Sequence, residues 1–190
     1  YGQEWHYAGR METKPNTWLD LIASAEYLVR ESYTSPAHLA PWGGSAGGIL
    51  AGRAITERPN LFGAAIIDVG SLDTIRAETT TNGVPNIKEF GTVKDRAGFH
   101  ALLAMSPYHN VRDGVGYPAV MLSHGFNDPR VEPWQSGKMA ARLQAATGSD
   151  NPVLLRVDFQ AGHGIGSTRD QYLQERADQF AFLFSQLGSN

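Results

Sequence analysis

Short apolar runs alternate with helix-spaced segments along the whole 190-residue chain, and that alternation restricts the fold more than any other feature. In NTWLDLIASAEYLVRES, Trp18, Leu21, Ile22, Ala25, Leu28 and Val29 recur on one helical face, with Asn16 or Thr17 expected to cap its start. HLAPW then reads as a strand, GGILAGRAITER as a helix stopped by Pro59, and AAIIDVG as a buried strand. A longer mixed stretch follows, with a helix expected over RAGFHALLAM. YPAVMLSHG is the clearest strand, WQSGKMAARLQAAT an amphipathic helix, PVLLRVDF a strand and STRDQYLQERADQFAFLFSQLG a closing helix. Strands that are apolar on both faces and separated by helices predict an α/β fold, a mostly parallel sheet covered by helices.

Composition agrees with one domain. Hydrophobic residues make up 42% and charged residues 18%, with no low-complexity segment and no repeat. A net charge of −3 gives no general attraction to nucleic acid or to an anionic membrane, and no apolar run reaches the ~20 residues that span a bilayer. There is no cysteine, which excludes disulfides and thiolate metal sites. No HExxH or carboxylate cluster at metal spacing occurs, so neither metal nor cofactor is expected. The opening YGQEWH has neither a methionine nor a charged-then-apolar leader, and compartment stays open.

In parallel α/β sheets, ligands collect at the carboxyl ends of the strands. There lie Ser45, then Asp68 with Ser71 and Asp73, then Asn127 with Asp128, and last His163. Gly43-Gly44-Ser45-Ala46-Gly47 fits G-x-S-x-G between a strand and a helix. A linker is excluded because the glycines are fenced by a strand and an apolar helix, and a phosphate loop because GxxxxGK[ST] is absent. A sharp turn there holds up the Ser45 hydroxyl, with glycine at Gly43 and Gly47 removing collisions and the Ala46 amide aimed at an oxyanion. Serine needs an oriented base, and on such a turn the partners follow in the order serine, acid, histidine. His163, in QAGHGIGS, is the only histidine after Asp128; His124 reads as packing or hydrogen bonding within its strand. For the acid, Asp128 is preferred because its strand is longer and cleaner, with Asp68 as the rival; Asp73 could equally cap a helix. Trp42 and Trp134 could line a pocket, but core packing is the simpler reading.

The motifs GGSAGG, RPNLFGAAIIDVGSLD, SPYHNV, NDPRVEPWQSGKMAARLQ and AGHGIGST, together with YGQEWH and KPNTWLDLIASAEYLVRESYTSPAHLA, resemble the catalytic domain of the prolyl oligopeptidase family of serine peptidases. The resemblance runs essentially end to end. It implies an α/β-hydrolase fold and hydrolysis of short peptides through an acyl-enzyme, with Ser45 as nucleophile, Asp128 as orienting acid and His163 as base. It also implies that Arg130, two residues after the acid, binds a substrate carbonyl. The family's prolyl-specific members stack a tryptophan on the substrate proline. The matching segment here, TTTNGVPNIKEFG, has none; Asn86 falls nearest, and Val69, Phe90 and Val131 are the residues expected to form the pocket. The family's β-propeller is absent from residues 1–190, as are the strands that precede YGQEWH and carry a tyrosine serving as second oxyanion donor. The expectation is therefore a single partial α/β-hydrolase domain, partnered by the upstream part of its own longer chain and weakly active or inactive alone. An esterase or lipase on the same fold, or an inactive fragment, is the alternative.

Overall fold

The computed structural model describes residues 1–164 and 167–188. Among these residues, four strands, β1 (Trp42–Gly44), β2 (Ala64–Asp68), β3 (Ala119–Gly125) and β4 (Val153–Asp158), form one parallel sheet in the order β1-β2-β3-β4. Trp42 lies beside Ile66, Ile66 beside Met121, and Met121 beside Leu154. Helix α1 (Gln3–Tyr7) and helix α2 (Pro15–Arg30) precede β1, and α3 (Gly47–Glu57) carries the chain from β1 to β2. Between β2 and β3 come α4 (Thr74–Ala77), α5 (Ile87–Phe90) and α6 (Arg96–Met105); α7 (Trp134–Ala146) joins β3 to β4, and α8 (Arg169–Leu187) follows β4. This is the parallel, helix-covered sheet expected of the C-terminal part of an α/β-hydrolase fold.

The two-residue period of a strand divides the core into two layers. Ala65 and Ile67 of β2, with Val120 and Leu122 of β3, pack against Trp18 and Ile22 of α2, Ile55 of α3 and Leu143 of α7. Ala64 and Ile66, with Ala119 and Met121, face the other way onto Phe182, Leu183 and Leu187 of α8. Burial on both faces is why these strands read as unbroken apolar runs.

Two local expectations need correction. α2 starts at Pro15, not at Asn16 or Thr17, because the fixed φ of proline suits the first helical position and its missing N–H is one that would lack a partner there. Asn16 instead donates to the Ala8 carbonyl, and Thr17 to that of Lys14. The HLAPW strand is displaced as well: Pro36–His38 forms a 3-10 turn, and pairing begins only at Trp42. Proline at 36 and 41 withholds the amides that an earlier strand would need. Elsewhere the capping chemistry is conventional: Asp95 accepts from the Gly98 amide at the start of α6, and Thr168 and Gln171 cap α8 reciprocally.

Candidate active site

β1 ends at Gly44 and α3 begins at Gly47, so Ser45 and Ala46 turn the chain between them. Ser45 sits at φ 54, in the left-handed region, a conformation costing about 1–3 kcal/mol unless its surroundings enforce it. The end of β2 enforces it: the Ser45 amide donates to the Asp68 carbonyl at 2.9 Å, and the Ser71 amide to the Ser45 carbonyl at 2.9 Å. A Cβ on Gly43 would stand 2.1 Å from the Gly47 carbonyl oxygen, so position 43 must be glycine. The expectation of a matching collision at Gly47 fails, since a Cβ there meets nothing within 4 Å.

His163 lies in the loop after β4. That loop crosses close over the end of β3, where a Cβ on Gly125 would come within 2.1 Å of the Gly162 carbonyl oxygen. Ile165 and Gly166 of the AGHGIGST motif lie outside the described residues. Asp128 occupies the turn after β3; its Oδ1 accepts from the amides of Arg130 at 2.8 Å and Val131 at 3.0 Å. Those two bonds aim Oδ2 at His163, whose Nδ1 is 2.6 Å away. The opposite nitrogen, Nε2, stands 2.9 Å from Ser45 Oγ. With Nδ1–H given to the carboxylate, Nε2 offers its lone pair to the serine hydroxyl. Burial pushes the Asp128 carboxyl upward, but contacts from His124, His163 and the two turn amides outweigh it and hold the group well below the usual carboxylate range.

The two other carboxylates weighed in the sequence, Asp68 and Asp73, are committed elsewhere. Asp68 Oδ1 accepts from Gln179 Nε2 at 2.6 Å and from Ser123 Oγ, and its Oδ2 from Trp42 Nε1 at 2.7 Å. Asp73 caps α4 by accepting from the Arg76 amide and pairs with Lys138. Trp42 therefore belongs to a structural network, while Trp134 stacks near the Lys138 ammonium.

Beside Ser45 is a cleft that gathers Ala46, Asn86, Phe90, Arg130 and Val131. Val69, expected with them, lies on the other side of the turn in a cavity lined by His163 and Asp68. It holds φ 43, strained for a β-branched residue. Among the described residues, the Ala46 amide has no acceptor and the Arg130 guanidinium has no hydrogen-bond or ion-pair partner. Gln135 also lines the cleft and was not singled out in the sequence. Its Oε1 accepts from the Leu72 and Asp73 amides, while its Nε2 has no partner among the described residues. The signal was a lone glutamine on the buried stripe Gln135, Met139, Leu143 of α7. Among the described residues, no group of three or more His, Asp or Glu is placed to hold a metal ion.

Residues 1–190 match the family model described as the prolyl oligopeptidase family. The chain is 40% identical over 189 residues to a prolyl endopeptidase of Elizabethkingia miricola, covering 99% of this chain and 27% of that protein. It is 40% identical over 186 residues to a prolyl endopeptidase of Dictyostelium discoideum, covering 96% and 24%. A solved structure from a study of two prolyl endopeptidases superposes with a TM-score of 0.96 at 40% identity, over 100% of this chain and 28% of that one. Oligopeptidase B from Trypanosoma brucei superposes at 0.92 with 35% identity, over 97% and 26%. The chain thus spans about a quarter of the length of the curated relatives it matches. With the fold, the turn at Ser45 and a full-length match at this identity all in agreement, the chain belongs to the prolyl oligopeptidase family.

Proposed function

We propose that the chain carries the catalytic machinery of a serine peptidase that cleaves short peptides. The observation that supports this reading is one continuous run of contacts: Ser45 Oγ to His163 Nε2 at 2.9 Å, and His163 Nδ1 to Asp128 Oδ2 at 2.6 Å. Ser45 Oγ attacks the scissile carbonyl carbon as His163 Nε2 takes its proton. The ionised Asp128 holds the imidazole by Nδ1 and stabilises the imidazolium that forms. The carbonyl oxygen, now an oxyanion, accepts from the unused Ala46 amide; one such donor contributes ~10²–10³ in turnover. His163 returns the proton to the leaving amine, the C–N bond breaks, and water repeats the sequence to free Ser45.

Arg130 is assigned to a substrate carbonyl, because its guanidinium is uncommitted and lines the same cleft as Ser45. Phe90 and Val131 supply apolar wall and Asn86 a polar one to the pocket for the residue before the cut, while Val69 lines the separate cavity beyond the turn. Among the described residues, no carboxylate lines that cleft, which favours a neutral side chain over a cationic one. Among the described residues, β1 pairs only with β2, leaving its outer edge open. Relatives about four times as long hold enough chain to add strands there, and we assign that edge to such a segment of the same protein.

The test uses peptidyl anilides, simple acyl esters and a fluorophosphonate probe on the intact protein. Peptide hydrolysis and probe labelling, both abolished by Ser45→Ala, are the expected results. Turnover of esters alone, or peptide hydrolysis that survives Ser45→Ala, would overturn the assignment.

A further inference from the structure

Behind the Asp128 turn lies a second imidazole that the proposed chemistry does not use. His124, in β3, has a fully buried side chain. Its Nε2 is 2.9 Å from the Val131 carbonyl oxygen and 3.2 Å from Asp128 Oδ2, the same oxygen that faces His163. Its Nδ1 is 2.7 Å from Ser136 Oγ on α7. Two acceptors face Nε2, so the ring hydrogen resides there, and the Ser136 hydroxyl donates to Nδ1. The Val131 amide in turn donates to Asp128 Oδ1. A ring of contacts therefore closes from His124 through Val131 to Asp128 and back, and α7 locks the orientation of the imidazole.

We propose that His124 is a positioning residue for the Ser45–His163–Asp128 assembly. This rests on the peptidase reading above. The buried ring clamps the turn that aims Asp128. By placing a second N–H beside Oδ2, it also shares the negative charge that would otherwise act on His163 alone. Electrostatics set the sign: a carboxylate relieved of this neighbour stabilises the His163 imidazolium more strongly, so His163 becomes harder to deprotonate. Turnover falls at the same time, because the acid turn loses its backing. The ionisable groups around His163 are Arg130 from the acid turn, Asp68 from β2, Arg156 and Asp158 from β4, and Glu175 and Arg176 from α8. None of them is altered by substitution at position 124.

The experiment compares His124→Leu, His124→Gln and Ser136→Ala with the wild type in the intact protein. NMR titrates the His163 imidazole directly, alongside pH profiles of kcat/KM and of kcat. For His124→Leu the expected result is a His163 midpoint raised by roughly half a pH unit and a kcat lowered about tenfold. Glutamine keeps an N–H donor at the same reach, so His124→Gln restores the midpoint and most of the turnover. Ser136→Ala leaves the ring in place but frees its orientation; the midpoint moves in the same direction by less. Should His124→Leu not fold, Ser136→Ala and His124→Gln carry the test. A His163 midpoint that is unmoved or lowered in His124→Leu, or in Ser136→Ala should the leucine variant not fold, would overturn the proposal, as would equal losses in His124→Leu and His124→Gln. The titration needs no turnover, so a failure of the peptidase assignment is distinguishable from a failure of this one.

Discussion

Removing the carboxylate of Asp68 should weaken the fold without touching the proposed reacting groups. Four donors converge on it: Gln179 Nε2 at 2.6 Å and Ser123 Oγ on Oδ1, Trp42 Nε1 at 2.7 Å and Arg176 Nη1 at 3.4 Å on Oδ2. They come from β1, β3 and α8, so one side chain ties three elements to β2. The donors are not equal. Trp42 is 36% exposed and can turn to water, which discounts its bond. Gln179 and Ser123 are both fully buried, and a buried donor left short costs about 1–3 kcal/mol. They partly rescue each other through the 3.1 Å contact between Gln179 Nε2 and Ser123 Oγ. Adding the loss of a group hydrogen-bonded in its charged form, Asp68→Ala should cost about 2–4 kcal/mol. Asp68→Asn keeps Oδ1 for Gln179 and Ser123 but turns an NH₂ towards Trp42 and Arg176, so roughly half that cost is expected. Urea unfolding, followed by tryptophan fluorescence and compared at constant slope, measures both. An Asp68→Ala midpoint indistinguishable from wild type, or an asparagine variant as unstable as the alanine one, would refute the assignment of Asp68 as the hub.

The glycine pattern at Ser45 makes an asymmetric prediction. Gly43→Ala places a methyl 2.1 Å from a backbone oxygen and should abolish both stable folding and fluorophosphonate labelling, whereas Gly47→Ala enters open space and should retain labelling within about threefold. Acid dependence should involve one proton only. The Asp128 carboxyl is depressed, so its charge, and the stability that goes with it, is present above the ordinary carboxylate range near ~3.9 and is lost only as pH falls through its lower folded value. The acid limb of kcat/KM should therefore have unit slope; a slope of two would show that Asp128 takes up its proton in the same range.

The sheet and its helices were legible because burial leaves a periodic trace. Residues 64 to 67 alternate between two apolar layers, so β2 reads as an uninterrupted run, and the stripe on α2 repeats at helical spacing. β1 left no such trace. Trp-Gly-Gly has little intrinsic preference for a strand and becomes one because Trp42, Gly43 and Gly44 pair with Ile66, Ile67 and Asp68. The polar core residues were visible but mute. Gln135, Gln179 and His124 interrupt apolar stripes, which says that each has a partner; the partners lie on other elements, and spacing cannot name them. Thus His124 could be read as packing or hydrogen bonding within its strand, but not as a neighbour of Asp128.

The choice between the two candidate acids turns on local chain geometry that is written in the sequence. Asp68 and Asp128 both follow buried strands at the same rim of the sheet. After Asp128 the chain reads Pro-Arg-Val, and proline at 129 suits a tight turn that brings the amides of Arg130 and Val131 back onto Oδ1. One oxygen is thereby held and the other is left pointing outward, at His163. Asp68 is followed instead by Val69 at φ 43, whose amide goes to the Ser123 carbonyl, so no turn amide returns to the carboxylate. Both its oxygens stay with donors from neighbouring elements. An acid that must orient an imidazole needs one oxygen restrained by its own turn and one directed at the ring, and of Asp68 and Asp128 it is the Asp-Pro-Arg-Val stretch that provides both.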